Sequence, residues 1–205
     1  MEKDPWDIYK TISGPSNEIL FKDRKSKFYG YAVPINDREE IKAHIELLRK
    51  KHHTANHICY AWQLGVENVH FRVNDDGEPS NSAGMPIYGQ IKAFGLTNIF
   101  VAVIRVFGGT KLGVGGLVQA YKTAAKMALE DSTIVEKVIV QRFLLSFEYA
   151  LMEKVMRIIK QHKLTISSPE LGIKCSYIIS VRKKKIDEII SIFSALHQLK
   201  IQKLD

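Results

Sequence analysis

The stretch at residues 99–116 reads IFVAVIRVFGGTKLGVGG and holds five of the chain's 13 glycines. Its first part, Ile99 to Phe107, is almost continuously apolar, which predicts a strand buried on both faces of a sheet. After the glycines, small and apolar residues recur at helical spacing at Leu117, Tyr121, Ala124, Ala125, Ala128 and Leu129. They predict a helix packed closely on that sheet. Glycines between a strand and a helix can direct backbone N–H groups at an anion, and a tight structural turn is the alternative.

The order of these glycines matches neither of the common nucleotide-binding loops. Lys111 precedes the last glycines and is followed by Leu112, so the pattern Gly-x-x-x-x-Gly-Lys-Ser/Thr is absent. Residues 113–116 also lack the dinucleotide-binding spacing. The loop is therefore interpreted as a segment that either binds an anion or shapes a turn. Its candidate binding residues are Gly108, Gly109, Lys111, Gly115 and Gly116.

A second loop, at residues 74–86, carries three carboxylates within four positions, at Asp75, Asp76 and Glu78. Such carboxylates bind hard cations or act as acid and base. However, the spacing lacks the full calcium-loop pattern, and Asp side chains commonly accept hydrogen bonds from the N–H groups of their own turn. We therefore expect no metal site and no cofactor. The three carboxylates are candidate binding residues, and no catalytic residue is assigned.

Arg105 interrupts the buried strand near its end. A guanidinium in that position must be paired or reach an edge of the sheet, and the carboxylates of the second loop are the candidate partners. His57 adds a candidate base, and a histidine satisfied within the core is the alternative. These two residues would form one site with Asp75, Asp76, Glu78 and Lys111 if the two loops are adjacent.

The remaining pattern divides the chain into two predicted domains, 1–138 and 139–205. In the first, hairpin patterns at 17–34 and 57–73 flank a helix near 37–51, and a further helix at 87–94 precedes the buried strand. In the second, strands are predicted at 143–149, 164–168, 173–181 and 199–202, with helices at 151–162 and 183–196. This order, βαββαβ, is that of the split βαβ sandwich, so the predicted fold class is α+β.

The chain carries a formal net charge of +8, most of it near the C-terminal end. Residues 141–205 hold 12 Lys or Arg and 6 Asp or Glu, a net +6, so the rest of the chain is +2. A basic segment favours an acidic partner such as RNA, and a solvated lysine surface is the alternative. Lys183, Lys184 and Lys185 form a basic run and are the candidate nucleic-acid contacts, with a solvated first helical turn as the alternative.

Other features narrow the class of protein. The start of the sequence lacks the basic and apolar regions of a secretory signal, and no apolar run approaches the roughly 20 residues needed to span a bilayer. Cys59 and Cys175 lie far apart in apolar segments, as buried free thiols commonly do. We therefore expect a cytoplasmic protein with no membrane partner, no disulfide framework and no readout of DNA sequence.

Motifs distributed over residues 17–130 resemble the YigZ/IMPACT family. They are Ser26-Lys27-Phe28, Ala55-Asn56-His57 with Cys59-Tyr60-Ala61, Asp75-Asp76-Gly77-Glu78-Pro79, Ser82-Ala83-Gly84-Met85-Pro86, Arg105 through Gly113, and Gly115 through Tyr121. Residues 139–205 resemble the second domain of the bacterial YigZ branch. The chain departs from the family pattern at Asn56, Ser82, Met85, Val106 and Gln119. These departures remove two positive groups and a phenol from the first domain, which weakens the transfer of a nucleic-acid-binding surface to it.

The resemblance implies a first domain similar to domain 2 of ribosomal protein uS5 and domain IV of elongation factor G. It implies a ferredoxin-like second domain. It also implies a link to regulation of translation, because the eukaryotic branch of the family is connected with restraint of the amino-acid-starvation kinase pathway. The bacterial branch has no settled biochemical activity.

Three functions fit these observations. The first is a non-enzymatic regulatory protein that contacts RNA, the ribosome or a translation-related protein. The second is an enzyme or binding domain for a phosphorylated or carboxylated small molecule, using the loops at 75–78 and 108–116. The third is a protein-binding module that uses the open face of the C-terminal sheet. The first is preferred because the charge and the resemblance both favour it, and it requires no enzymatic activity.

Overall fold

The fold is given by a computed structural model that describes residues 7–204. The chain divides into two compact units, Tyr9–Lys137 and the remainder of the described chain. Along the first half, the elements are β1 (Ile8–Ile12), β2 (Ile19–Asp23), β3 (Ser26–Pro34), α1 (Glu39–Lys51), β4 (His57–Leu64), β5 (His70–Asn74), α2 (Gly84–Ala93) and β6 (Ile99–Val106). They continue with α3 (Gly113–Asp131), β7 (Ile134–Val138), β8 (Val140–Glu148), α4 (Met152–His162), β9 (Thr165–Glu170), β10 (Lys174–Arg182), α5 (Ile186–Ser194) and β11 (Lys200–Lys203).

The unit Tyr9–Lys137 is organised around β6, which is the middle strand of a five-stranded sheet of order β2-β3-β6-β4-β5. Neighbouring strands in this sheet are antiparallel. Seven of the eight residues of β6 are buried. Helices cover both faces of the sheet, which explains why the sequence of β6 is continuously apolar rather than alternating. The prediction of a doubly buried strand is confirmed.

The two faces of this sheet receive different helices. On one face α1 packs through Ile41 and Leu48 against a cluster that includes Trp62 and Phe100. On the other face α2 and α3 form the larger part of the core. Helix α3 lies so close to β3 that a Cβ atom on Gly30 would be 2.4 Å from the carbonyl oxygen of Ala124. The glycine in β3 therefore allows the middle of α3 to pack directly against the backbone of the sheet.

The second unit contains a four-stranded antiparallel sheet of order β11-β8-β10-β9. Alternate residues of its two central strands are buried among α4 and α5, namely Phe143, Leu145, Phe147, Cys175, Tyr177 and Ile179. Each strand–helix–strand half has a strand of the other half between its own two strands. This is the ferredoxin-like arrangement that the βαββαβ pattern predicts.

The last helix begins later than its periodicity indicates. Lys183–Lys185 form a 3-10 turn, and α5 starts at Ile186, so the predicted helix at 183–196 is three residues too long at its start. Positive side chains are unfavourable near the positive end of the helix dipole. Asp187 and Glu188, which occupy the first turn of α5 instead, are favourable there.

Candidate functional site

Arg105 lies near the end of β6, between two strands that position its neighbours. The sheet register places it opposite Phe28 of β3 and opposite His57 of β4. Directly opposed residues in an antiparallel sheet project from the same face, so these three side chains share the face covered by α2 and α3. Arg105 is only 6% exposed. The three central strands therefore place a guanidinium, an aromatic ring and an imidazole side by side at one end of the sheet.

Glu78 is the ion-pair partner of Arg105. Its Oε1 atom accepts hydrogen bonds from Arg105 Nη1 at 2.6 Å and from the Tyr121 hydroxyl at 2.8 Å. Both side chains of the ion pair are buried, with 4% of Glu78 and 7% of Arg105 exposed. Because both charges lose their hydration, such a pair is maintained only with good geometry and further hydrogen bonds. The carboxylate loop and the end of β6 are thereby held together.

The rest of the Arg105 guanidinium is surrounded by aromatic rings. Its central carbon lies 5.5 Å from the ring centroid of Phe28 and 5.4 Å from that of Phe107. Positive charge over aromatic faces is favourable, and a planar guanidinium suits this arrangement better than an ammonium group. The Nε atom is buried and has no hydrogen-bond partner among the described residues. Arg105 therefore retains one unsatisfied donor in a place where water is largely excluded.

His57 is held in one tautomer by the backbone. Its Nδ1 atom lies 2.7 Å from the carbonyl oxygen of Asp76, and since a carbonyl only accepts, Nδ1 carries the proton. Gly77 lies under the ring, and a Cβ atom there would be 3.4 Å from Nδ1. The other ring nitrogen, Nε2, is 3.9 Å from Glu78 Oε1. The imidazole is therefore oriented with Nε2 toward the ion pair.

These side chains line a pocket of about 430 Å³ at the start of α3. Of the residues predicted from the sequence, it brings together His57, Glu78, Arg105 and Lys111. It is completed by residues that were not among the candidate binding residues, namely Asn56, Pro79, Phe107, Leu112, Gly113, Val114 and Leu117. We call this site the α3 pocket. Lys111 lies just before α3, the other charged groups come from β4, the acidic loop and β6, and most of the apolar wall comes from the start of α3.

The other two carboxylates of the acidic loop support the backbone. Asp75 accepts hydrogen bonds from the N–H groups of Asn81, Ala83 and Gly84 at 2.8–3.0 Å, so it caps the start of α2. Asp76 Oδ2 accepts one from the N–H of Ile58 at 2.7 Å. These bonds match the turn-satisfying role that was the alternative to cation binding. Neither residue lines the α3 pocket.

The glycines of the β6–α3 loop differ in what they do. A Cβ atom on Gly108 would lie 2.0 Å from the carbonyl carbon of Lys25, so this glycine allows the loop to pass against the β2–β3 turn. Gly109 and Gly113 have positive φ angles of 86° and 73°. Gly115 has open space around it, and Gly116 packs against Leu112. Gly108 and Gly109 therefore shape the loop, and Gly113 alone among the glycines borders the pocket.

Two further groups lie buried beside Glu78. Burial raises the pKa of the Tyr121 hydroxyl, and the neighbouring Cys59 and Glu78 raise it further. Burial likewise raises the pKa of the Cys59 thiol, which donates to the carbonyl oxygen of Asp75 at 3.0 Å. Both groups therefore remain protonated and neutral near pH 7, so Tyr121 acts as a hydrogen-bond donor to Glu78. The spacing of Tyr121 along α3 is that of a core residue, and only its hydroxyl group distinguishes it from the purely apolar residues on the same face of the helix.

A second concave surface, of about 610 Å³, lies between α1 and the strands β4 and β5. Its cations are Arg38, Lys42, Arg49 and Arg72, and its other lining residues are Ile41, Ile45, Glu46, Tyr60, Trp62, His70 and Phe71. The four cations are exposed. The Arg38 guanidinium carbon is 5.4 Å from the Trp62 ring centroid, and Arg49 reaches Asp76 at 3.4 Å. We call this surface the basic groove.

The lysine run predicted as a nucleic-acid contact lies in the second unit. Lys183 and Lys184 are exposed and Lys185 is partly buried. Arg182, just before them, forms a bidentate ion pair with Asp7. This hydrogen bonding lowers the pKa of Asp7, and the charge of Lys184 contributes to the same shift. The run therefore lies beside a structural ion pair.

Over residues 7–204, no group of three or more His, Cys, Asp or Glu side chains is placed to hold a metal ion. None of the helices in that part of the chain is long and apolar enough to cross a membrane.

Comparisons with known proteins place these features in a family. The Impact N-terminal domain matches residues 24–129, which include every residue that lines the α3 pocket and the basic groove. IMPACT family member YvyE of Bacillus subtilis is 34% identical over 140 residues, covering 68% of this chain and 63% of that protein. IMPACT family member YigZ of Escherichia coli is 34% identical over 133 residues, covering 64% of this chain and 65% of that protein.

The aligned regions therefore span slightly less than two thirds of the length of these two relatives. A crystal structure of a hypothetical protein matches with a TM-score of 0.72 at 25% identity, over 97% of this chain and 98% of that one. That match extends through both units of the fold. The sequence motifs, the matched domain and the shared fold agree, and the chain belongs to the IMPACT family.

Proposed function

We propose that this protein is a cytoplasmic regulator of translation that binds RNA through the basic groove. The observation that carries the proposal is that four exposed cations and several aromatic side chains line one groove between α1 and the β4–β5 hairpin. The link to translation comes from the resemblance to the eukaryotic branch of the family. Contact with the ribosome is included, since its surface is largely RNA phosphate.

The groove has the composition that RNA phosphates favour. Arg38, Lys42 and Arg72 are exposed cations, and neutralising phosphates with such groups releases condensed counterions. Phe71, which is 52% exposed, and the half-buried Tyr60 contribute aromatic surface in the same groove. Bases of a single strand stack on such surfaces without strong sequence preference. Glu46 is the acidic residue in the lining, so the cations outnumber it four to one.

The test is binding of fluorescently labelled single-stranded RNA over a series of salt concentrations, together with co-sedimentation with ribosomes. The double variant Lys42→Glu, Arg72→Glu reverses two exposed charges of the groove. If both cations contact phosphate, the slope of log affinity against log salt falls by about 1.4, at about 0.7 per contact. We expect affinity at low salt to fall at least tenfold.

The matched control is Lys22→Glu, Lys122→Glu, which changes the net charge equally at exposed positions of the same unit outside the groove. It should weaken binding much less, because it alters only the long-range field of the protein. Equal loss in both double variants would place RNA binding elsewhere. No binding by the native chain at low salt would remove RNA as the partner and leave a translation-related protein.

The lysine run at 183–185 is a separate proposed RNA contact in the second unit. The triple variant Lys183→Gln, Lys184→Gln, Lys185→Gln tests it in the same assay. A further reduction of the salt slope in this variant would support a second contact. An unchanged slope would leave the run as a solvated turn before α5.

A further inference from the structure

We propose that the α3 pocket binds the oxyanion group, a carboxylate or a phosphate, of a small organic molecule. This site is distinct from the basic groove and does not depend on RNA binding. The proposal rests on a buried unsatisfied donor, an uncapped helix start, a nearby lysine and an apolar wall.

The first feature is the unsatisfied Nε–H of Arg105. The side chain is more than nine-tenths buried and lines the pocket, with Nη1 already bonded to Glu78. Buried N–H groups are nearly always paired, and each exception calls for an explanation such as a missing partner. An oxyanion is the partner that suits a guanidinium best, because the hydrogen bond is then assisted by charge.

The second feature is the start of α3. This helix of 19 residues has no side-chain hydrogen bond at its N-cap position, Leu112, and no acidic residue in its first turn. Among the described residues, no side chain is observed to accept a hydrogen bond from its first N–H groups, which carry the positive end of the helix dipole. Gly113 and Val114 at this end border the pocket. Helix starts of this kind favour bound anions.

The charges of the lining agree with an anion rather than a cation. Lys111 and Arg105 are cations, and Glu78 is the carboxylate in the lining. Glu78 Oε1 is already occupied by hydrogen bonds from Arg105 and Tyr121. Glu78 therefore fixes the position of the Arg105 guanidinium, while Lys111 supplies positive charge that can balance a bound oxyanion.

His57 and the apolar wall indicate which groups the ligand carries besides its oxyanion. In the neutral imidazole with its proton on Nδ1, His57 Nε2 can accept a hydrogen bond from a hydroxyl group of the ligand. Phe107, Leu112, Val114 and Leu117 provide apolar surface next to these polar groups. A pocket of about 430 Å³ lies within the usual range for small-molecule sites. The ligand class is therefore a small organic acid or phosphate ester rather than a bare inorganic ion.

The side-chain Nε–H signal of Arg105 gives a direct test by nuclear magnetic resonance of the full ¹⁵N-labelled chain. The signal is assigned by its loss in Arg105→Lys, or by its proximity to the Phe28 and Phe107 rings if that variant does not fold. Inorganic phosphate and acetate, the smallest carriers of the two groups, are titrated separately at constant ionic strength. We expect a saturable shift of this signal, and of the Gly113 and Val114 amides, with at least one of them.

Lys111→Gln should weaken that binding about tenfold, the loss expected for one charge-assisted contact. Lys122→Gln removes an equal charge at an exposed position outside the pocket and should leave the titration unchanged. A shift with phosphate alone or with acetate alone supports the proposal and identifies the group. An Nε–H signal that stays fixed in both titrations overturns it, as does equal binding by the Lys111 and Lys122 variants.

Discussion

The α3 pocket and the basic groove both collect positive charge in the unit Tyr9–Lys137, but they do so by opposite means. Arg105 in the pocket is 6% exposed and has one fixed partner, Glu78, at 2.6 Å. The cations of the groove are exposed, and Arg49 reaches its partner Asp76 only at 3.4 Å, with 62% of its side chain exposed. The pocket therefore presents a charge that is held in place by a buried ion pair, whereas the groove presents charged side chains that are exposed to solvent.

This difference determines what each region can recognise. A buried charge must be paired to exist at all, so its geometry is set before any ligand arrives. Exposed charges are screened by salt and contribute little to folding. Their side chains can therefore adjust to the irregular phosphate positions of a single-stranded partner. The pocket thus suits one small group of defined shape, and the groove suits a long polyanion.

The largest difference in stability between the two regions should come from Glu78→Gln. The change preserves shape but leaves the Arg105 charge buried without its counter-charge, so we expect unfolding free energy to fall by about 3 kcal/mol. Urea unfolding followed by circular dichroism measures it. Glu130→Gln, which breaks the exposed pair of Lys126 and Glu130 on α3, should cost less than about 0.5 kcal/mol. Similar losses in both variants would contradict the distinction between buried and exposed charges.

The next largest effect concerns the glycine-rich segment between β6 and α3. Gly108→Ala forces a Cβ atom against the Lys25 backbone, where the available distance is 2.0 Å, so we expect a loss of about 2 kcal/mol. Gly115→Ala is the matched change in the same run. Its Cβ would meet nothing within 4 Å, and alanine favours a helix over glycine by about 0.5–1 kcal/mol. Thermal unfolding of the two variants should therefore shift in opposite directions.

An ion pair of intermediate burial gives a smaller effect that depends on pH. Burial would raise the pKa of Glu18, but hydrogen bonds from Lys51 and His52 outweigh it, so the pKa lies below its ordinary value of 4.5. Because the folded-state pKa is depressed, the stabilisation is present above about 4.5 and is lost as the pH falls through the folded-state value. Glu18→Gln should cost about 0.5–1 kcal/mol at pH 7.

The same variant should cost less as the medium is acidified below pH 4.5, since the native Glu18 then becomes neutral too. Urea unfolding at a series of pH values gives the comparison. A difference between the variant and the native chain that stays constant down to pH 3 would show that the pairing of Glu18 does not contribute.

The smallest effect on stability is expected in the groove. Lys42→Gln and Arg72→Gln remove exposed charges, so unfolding free energy should stay within about 0.5 kcal/mol of the native value. RNA binding, in contrast, should weaken in both. If either change destabilised the fold as much as Glu78→Gln, the groove would have to be regarded as part of the structural core.

Much of the fold was predictable because its signals are local. The unbroken apolar run of β6, the alternation in β8 and β10, and the helical spacing of α3 each report burial through residues close in sequence. The pairing of Arg105 with the acidic loop also followed from a simple rule. A buried guanidinium needs an anion, and only a few carboxylates lie in loops near the same edge.

The site was less predictable, because its details depend on contacts between distant residues. Asp75 and Glu78 carry the same charge and lie three residues apart in one loop. Asp75 nevertheless caps α2, whereas Glu78 pairs with Arg105. The basic groove is lined by residues of α1, β4 and β5. These elements meet because of the strand order of the sheet, which the hydrophobic periodicity of the sequence does not indicate. Tyr121 was predicted as core from its spacing, and its hydroxyl finds Glu78 only after α3 packs on the sheet.

The central position of β6 has a consequence for hydrogen exchange. Its residues pair with β3 on one side and β4 on the other, and helices cover both faces. Backbone amides in such a strand exchange with solvent only when most of the unit opens, whereas loop amides exchange through local fluctuations. Arg105 is therefore attached to the slowest-exchanging part of the unit, while Lys111 lies on a loop. A ligand in the α3 pocket would slow exchange in the loop and leave β6 almost unchanged.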